Sequence, residues 1–250
     1  IMNGIPHTMG RIGVSPIYGL ASRAEDGRLA AIADLARLRD DVRRFNDAQG
    51  RSVVDVVELH TAPRGVAGAV EPLIRSLSGV AAWDWDGSQL VIEHCDAWRD
   101  SQTPEKGFLE LEAEMDAIES SGAPVGISLN WGRSAIEGRS ADAVVEHARA
   151  GRERGLLRGF IASGAADVDT AYGPAWVDAH LPFAASAMTE YGLAGSVMTE
   201  KDVADVLRAA GALDWCGVKV GALADASLAS RIALVAESVA QLVRIQESLV

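Results

Sequence analysis

Short apolar runs alternate along this chain with longer segments of helical period, and no other feature constrains the fold as strongly. The runs are 1–6 (IMNGIP), 53–60 (VVDVVELH), 89–95 (QLVIEHC), 124–130 (PVGISLN), 157–163 (LRGFIAS) and 214–220 (DWCGVKV), with 193–198 (LAGSVM) as a weak seventh. Between them, Ile32, Leu35, Leu38, Val42 and Phe45 recur three or four residues apart within 27–48, and 66–80 and 106–121 repeat the pattern more loosely. Ser140 opens a helix over 140–154 as its N-cap, and Thr199 opens another. From 224 onward Leu228, Ile232, Val235, Val239 and Leu242 fall on one helical face. Strands apolar on both sides, alternating with helices, predict a parallel sheet covered by helices.

Composition narrows what such a sheet serves. With 250 residues, 48% hydrophobic and 23% charged, the chain can bury one large α/β core, and a single domain over 1–250 is expected. A net charge of −12 argues against a nucleic-acid partner. No apolar segment approaches the roughly 20 residues of a membrane helix, so no membrane partner is expected. No signal peptide is visible, and Cys95 and Cys216 read as buried thiols, which together predict a cytoplasmic protein.

Two parallel architectures compete. A dinucleotide-binding fold needs G-x-G-x-x-G directly after a strand, and the sequence has none. A (β/α)8 TIM barrel gathers its functional residues at the C-terminal ends of many strands. That is the pattern here: Glu58 and His60, then Glu93, His94 and Asp96, then Asn130 and Arg133, then Ser163, then Lys219. Six firm strands rather than eight, with the chain starting in mid-strand, give the expectation that the first two βα units are absent from this sequence, leaving a barrel incomplete at its N-terminus.

Several stretches resemble a bacterial family of xylose-isomerase-like TIM barrels: IPHTMGRIG (5–13), VELHTAPRG (57–65), AAWDWDGSQLVIEHCDA (81–97), PEKGFLELEAE (104–114), VGISLNWGRSAIE (125–137), GPAWVDAHLP (173–182) and GVKV (217–220). The resemblance covers essentially the whole chain. It implies a superfamily of sugar isomerases, sugar epimerases and an endonuclease branch, most of which bind a divalent metal through Glu, Asp, His and Glu from four consecutive strands. Glu93 matches the first ligand, but Asn130, Ser163 and Lys219 stand at the other three. Arg133 stands where the epimerases often place a substrate-contacting His. An ammonium where a cation should sit repels Mn²⁺ or Mg²⁺, so no metal and no other cofactor is predicted. A divalent ion (Mn, Mg or Zn) held by Glu58, His60 and Glu93 is the alternative.

The candidate catalytic residues are therefore Glu58, His60, Glu93 and Lys219, and the candidate substrate-binding residues are His7, His94, Asp96, Asn130, Arg133 and Ser163. Each has a plainer reading. Glu58 and His60 share a strand face and could tie a loop; Lys219 could be salt-bridged to Glu93; Arg133 and Glu137 could form a surface i, i+4 pair. Asp178 and His180 read as a solvated loop, His147 as a surface residue, and the acidic run 109–119 as a solvated helix face. The function expected is proton transfer next to a carbonyl on a small carbohydrate-like substrate, as isomerase or epimerase, by a protein that could pair as a homodimer. The alternatives are a Lys219-dependent lyase or aldolase and a non-catalytic sugar-binding barrel.

Overall fold

Six of the apolar runs form strands in the computed structural model, which describes residues 1–249. By their internal contacts these residues fall into two compact units, Ile1–Ser128 and Leu129–Val250.

Unit 1 opens with β1 (Met2–Asn3), followed by α1 (Ile5–Val14) and α2 (Glu25–Gln49), β2 (Val56–Leu59), α3 (Val70–Ala81), β3 (Gln89–His94), α4 (Leu111–Ser121) and β4 (Val125–Asn130), the last of which crosses into unit 2. The strands β1, β2 and β3 pair in chain order and all parallel, with Asn3 opposite Glu58, Glu58 opposite Val91 and Leu59 opposite Ile92. Val56, Val57, Leu59, Leu90, Val91 and Ile92 are buried, and α3 and α4 cover them with Leu73, Leu77, Val80, Met115 and Ile118. The first strand is shorter than the run 1–6. Asn3 ends it because its Oδ1 accepts the Ile5 N–H at 2.8 Å, and Pro6 suits the first turn of a helix, so His7 stands on α1 rather than in a loop.

Unit 2 continues with α5 (Trp131–Gly138), α6 (Ala141–Glu153), β5 (Leu157–Ala162), α7 (Glu200–Ala210), β6 (Trp215–Val218) and α8 (Leu228–Glu247). The strands β5 and β6 pair in parallel, Ala162 opposite Val218. Ser140 accepts the Asp142 N–H as the N-cap of α6, and Thr199 and Asp202 form a complete capping box on α7, as their spacing predicted. The stretch 193–198 forms no strand and makes only isolated bridges, Ser196 to Ala166 and Leu193 to Ala184. No described helix is long and apolar enough to cross a membrane. Both thiols are unbridged, and burial pushes Cys216 up to about 11.

Other corrections concern which faces are buried. Phe45 is exposed on α2, whose buried positions include Ala31, Val42 and Asn46. On α8 the predicted stripe lies mostly outside: Leu228 is 75% exposed and Ile232 61%, and Val235 and Val239 are exposed as well, whereas Leu242 is buried beside Leu234 and Ile245. The helix carries apolar residues on two faces, and periodicity alone does not say which faces the core. Glu114 in the acidic run is buried with Leu111, Met115 and Ile118. Arg133 and Glu137 are buried in α5, not on a surface, and His147 is largely buried with Nε2 3.8 Å from Glu137.

The burial of α8 is directly testable. Ile232→Lys should change unfolding free energy by no more than about 0.5 kcal/mol, as an exposed position allows. Leu242→Ala should cost about 2–5 kcal/mol. Urea denaturation of both variants reads the two values, and a large cost at Ile232 would place that face in the core.

Candidate active site

The parallel register carries polar side chains to one place in unit 1. Asn3 is paired with Glu58, and one step beyond the Leu59–Ile92 pair His60 comes level with Glu93. Paired residues of parallel strands point the same way, and residues two apart share a face. Asn3, Glu58, His60 and Glu93 therefore converge. The Asn3 Nδ2 amide donates to Glu58 Oε2 and, at 2.7 Å, to Glu93 Oε2. The Ser128 hydroxyl of β4 donates to Glu58 Oε1 at 3.1 Å, and His60 Nε2 lies 3.0 Å from Glu93 Oε2. With Glu93 ionised that nitrogen must carry the proton. Asn3 cannot be turned over, because its Oδ1 is engaged by the Ile5 N–H. Both carboxylates are buried, at 1% exposure for Glu58 and 0% for Glu93, so these donors replace the water they have lost.

Glu58, Leu59 and His60 border a cavity of about 320 Å³ in unit 1, whose other walls include His7, Tyr18, Asp34, Arg37 and Leu38. His7 reaches it from α1, with Nε2 2.8 Å from Asp34 Oδ2. Asp34 also accepts from the Tyr18 hydroxyl at 3.0 Å and pairs with Arg11 at 3.2 Å and with Arg37. Burial by itself would raise the Asp34 carboxyl, but the hydrogen bonds from His7 and Tyr18 and the charges of His7 and Arg11 outweigh it and hold the group below the usual carboxylate range. Burial, reinforced by the Asp34 charge, pushes the Tyr18 phenol up.

The remaining candidates are placed elsewhere. His94 points to the face opposite Glu93, as alternation requires, and its Nδ1 lies 2.8 Å from Glu114 Oε2 while Thr61 donates to Glu114 Oε1 at 2.5 Å. Asp96 accepts the backbone N–H groups of Glu105, Lys106 and Gly107 and so holds the following loop. Burial raises its pKa in spite of these bonds. Like Glu93, neither His94 nor Asp96 borders the cavity. In unit 2, Asn130 is the buried last residue of β4, Ser163 follows β5 directly, and Lys219, partly exposed, follows β6 directly. Arg133 Nε donates to Asp178 Oδ2 at 3.3 Å, and Ser163 Oγ lies 3.1 Å from His180 Nδ1. Asp178 and His180 are thus part of a packed cluster rather than a solvated loop.

Glu58, His60 and Glu93 offer oxygen and nitrogen donors whose types suit a divalent ion, and the Asn3 amide, which donates to Glu58 Oε2 and to Glu93 Oε2, stands between the two carboxylates.

The family described as "Domain of unknown function (DUF4862)" matches residues 1–234. An uncharacterized protein of Salmonella typhimurium is 34% identical over 226 residues, which are 88% of this chain and 69% of that protein. A xylose isomerase domain containing protein from Salmonella typhimurium LT2 is similar in structure, with a TM-score of 0.58 at 14% identity, over 91% of this chain and 73% of its own. L-ribulose 3-epimerase gives 0.57 at 15% identity, over 94% and 74%. The IOLI protein, solved with a zinc atom, gives 0.58 at 10% identity, over 98% and 86%. What is shared at these identities is the fold, an α/β fold of parallel strands like that of the xylose isomerase-like TIM barrels.

The Asp34 cluster sets a pH dependence. A carboxyl depressed in the folded state stabilises it above the unfolded-state pKa, and that stability is lost as pH falls through the depressed folded value. Asp34→Asn should therefore lose less stability than the parent between about pH 6 and about pH 3. Equal losses in urea denaturation at the two pH values would show that Asp34 contributes nothing to the acid limb.

Proposed function

We propose that this chain, which belongs to the family described as domain of unknown function (DUF4862), is a carbohydrate isomerase or epimerase that moves a proton on a carbon next to a carbonyl. The observation that carries the reading is the pair of buried carboxylates, Glu58 and Glu93, joined through one Asn3 amide beside a cavity of about 320 Å³. Burial of two carboxylates is costly unless they are used or fully satisfied, and a cavity at the edge of the pair lies in the size range that encloses small metabolites. The structural likeness to L-ribulose 3-epimerase supports the class of substrate.

In this reading Glu58, which borders the cavity, takes the proton from a hydroxyl-bearing carbon, and the bonding electrons move to the carbonyl oxygen to give an enediolate. Return of the proton to the former carbonyl carbon, with the hydroxyl proton passing between the two oxygens, isomerises the sugar. Delivery of a proton to the opposite face of the first carbon epimerises it. His60 is a positioning residue, because its Nε2–H holds Glu93 Oε2 at 3.0 Å. Asn3 holds both carboxylates in place. Every step runs on these side chains.

Deuterium uptake tests the reading. A panel of ketopentoses and ketohexoses is incubated with the protein in D₂O and followed by proton NMR. Uptake at the carbon next to the carbonyl is expected for at least one ketose, and Glu58→Gln should slow it by about 10²–10⁴-fold, the contribution of a positioned acid or base. Borohydride added to the same mixtures should leave Lys219 unmodified. A ketose adduct trapped on Lys219 would favour a Schiff-base lyase, and binding without exchange would favour a sugar-binding barrel.

A further inference from the structure

The walls of the cavity beside Glu58 are of two kinds. Leu20, Leu35, Leu38 and Leu59 give it hydrocarbon surface. The charged and polar groups come from α1, α2 and β2, as His7, Asp34, Asp41 and Glu58. On α2, Ala31, Asp34, Leu38 and Asp41 recur three or four residues apart, so one face of the helix carries both kinds of wall to the same cavity.

Hydrogen-bonding capacity on these walls is one-sided. Asp34 pairs with Arg11 at 3.2 Å and with Arg37, which keeps it ionised, and an ionised carboxylate only accepts hydrogen bonds. His7 Nε2, 2.8 Å from Asp34 Oδ2, therefore holds the proton of the neutral imidazole, and a lone pair is left on Nδ1. The Tyr18 hydroxyl already donates to Asp34 Oδ2 at 3.0 Å. Asp41 and Glu58 add two more carboxylates. Among the described residues that border the cavity, Arg37 alone carries a fixed positive charge, and its guanidinium donates to Asp34 Oδ1. Arg11, and Arg44 that pairs with Asp41, do not border it.

We propose that this cavity selects an uncharged, hydroxyl-rich ligand, an unphosphorylated sugar, over the same sugar carrying a phosphate, with His7 and Asp41 as specificity-determining residues. The proposal rests on the reading of this cavity as the reaction site. Sugar hydroxyls are donors, which the carboxylates and His7 Nδ1 call for, and the C–H surface of the sugar lies against the leucines. A phosphate ester carries about −1.5 to −2 charge at pH 7 and offers acceptor oxygens. In this cavity it meets acceptors that cannot pair with it and carboxylates that repel it, and its lost hydration is not replaced.

The test uses the full chain and reads binding apart from chemistry. NMR titration at about pH 8 and low salt compares D-fructose with D-fructose 6-phosphate and D-ribulose with D-ribulose 5-phosphate. In at least one pair the free ketose should bind at least about tenfold more tightly than its phosphate, and the ratio should shrink as salt is raised, because added ions screen the repulsion. Asp41→Asn, at an exposed position, should narrow the ratio by weakening the repulsion. His7→Ala, in which Asp34 keeps Tyr18, Arg11 and Arg37, should weaken binding of the free ketose by about tenfold. A phosphate bound as tightly as its free ketose, a ratio unmoved by Asp41→Asn, unchanged binding in His7→Ala, or no ketose bound at all each overturns the proposal. A free ketose that binds in preference to its phosphate but takes up no deuterium overturns the isomerase reading alone and leaves the selectivity standing.

Discussion

One amide holds the polar centre of unit 1 together. Two carboxylates, Glu58 and Glu93, are carried by adjacent strands to the same face of a sheet and buried there, where repulsion and lost hydration both act against them. The Asn3 Nδ2 amide gives one hydrogen bond to each, and its Oδ1 closes the first turn of α1. The end of β1, the start of α1 and the spacing of the two carboxylates therefore depend on a single side chain. Ser128 and His60 add further hydrogen bonds, Ser128 to Glu58 and His60 to Glu93.

The second unit buries a carboxylate with different parts. Asp178 lies between the Arg133 guanidinium, whose Nε donates to Oδ2 at 3.3 Å, and the His180 imidazole, whose Nδ1 lies 3.1 Å from Oδ1. In both units an imidazole stands beside a carboxylate, but His60 is buried whereas His180 is 27% exposed.

Much of the fold was legible in the sequence, because strand periodicity and capping chemistry are local. Six strands and the caps at Ser140 and Thr199 follow from the residues themselves. Glu58, His60 and Glu93 were readable as a group because polar residues closing apolar runs at period two must share a face. Asn3 was not singled out, although a polar residue near the end of the first run carried the same signal. Ser128 lies two residues before Asn130 and so shares its face, and Glu114 lies three after Leu111 and four before Ile118, which marks the buried side of α4. Asp178 and His180 had no such signal, since their partners Arg133 and Ser163 are brought to them only by the return of a long loop. The exposed stripe on α8 shows the converse: a regular apolar pattern that does not face the core.

The coupling between Asn3 and Glu93 is measured most directly by a double-mutant cycle in unfolding free energy, with Asn3→Ala, Glu93→Gln and the combined variant. A buried amide that donates to an ionised carboxylate predicts a coupling of about 1–3 kcal/mol, with the double variant less destabilised than the sum of the single ones. Additivity within about 0.5 kcal/mol would contradict it, and would mean that the two side chains are neighbours without holding each other in place.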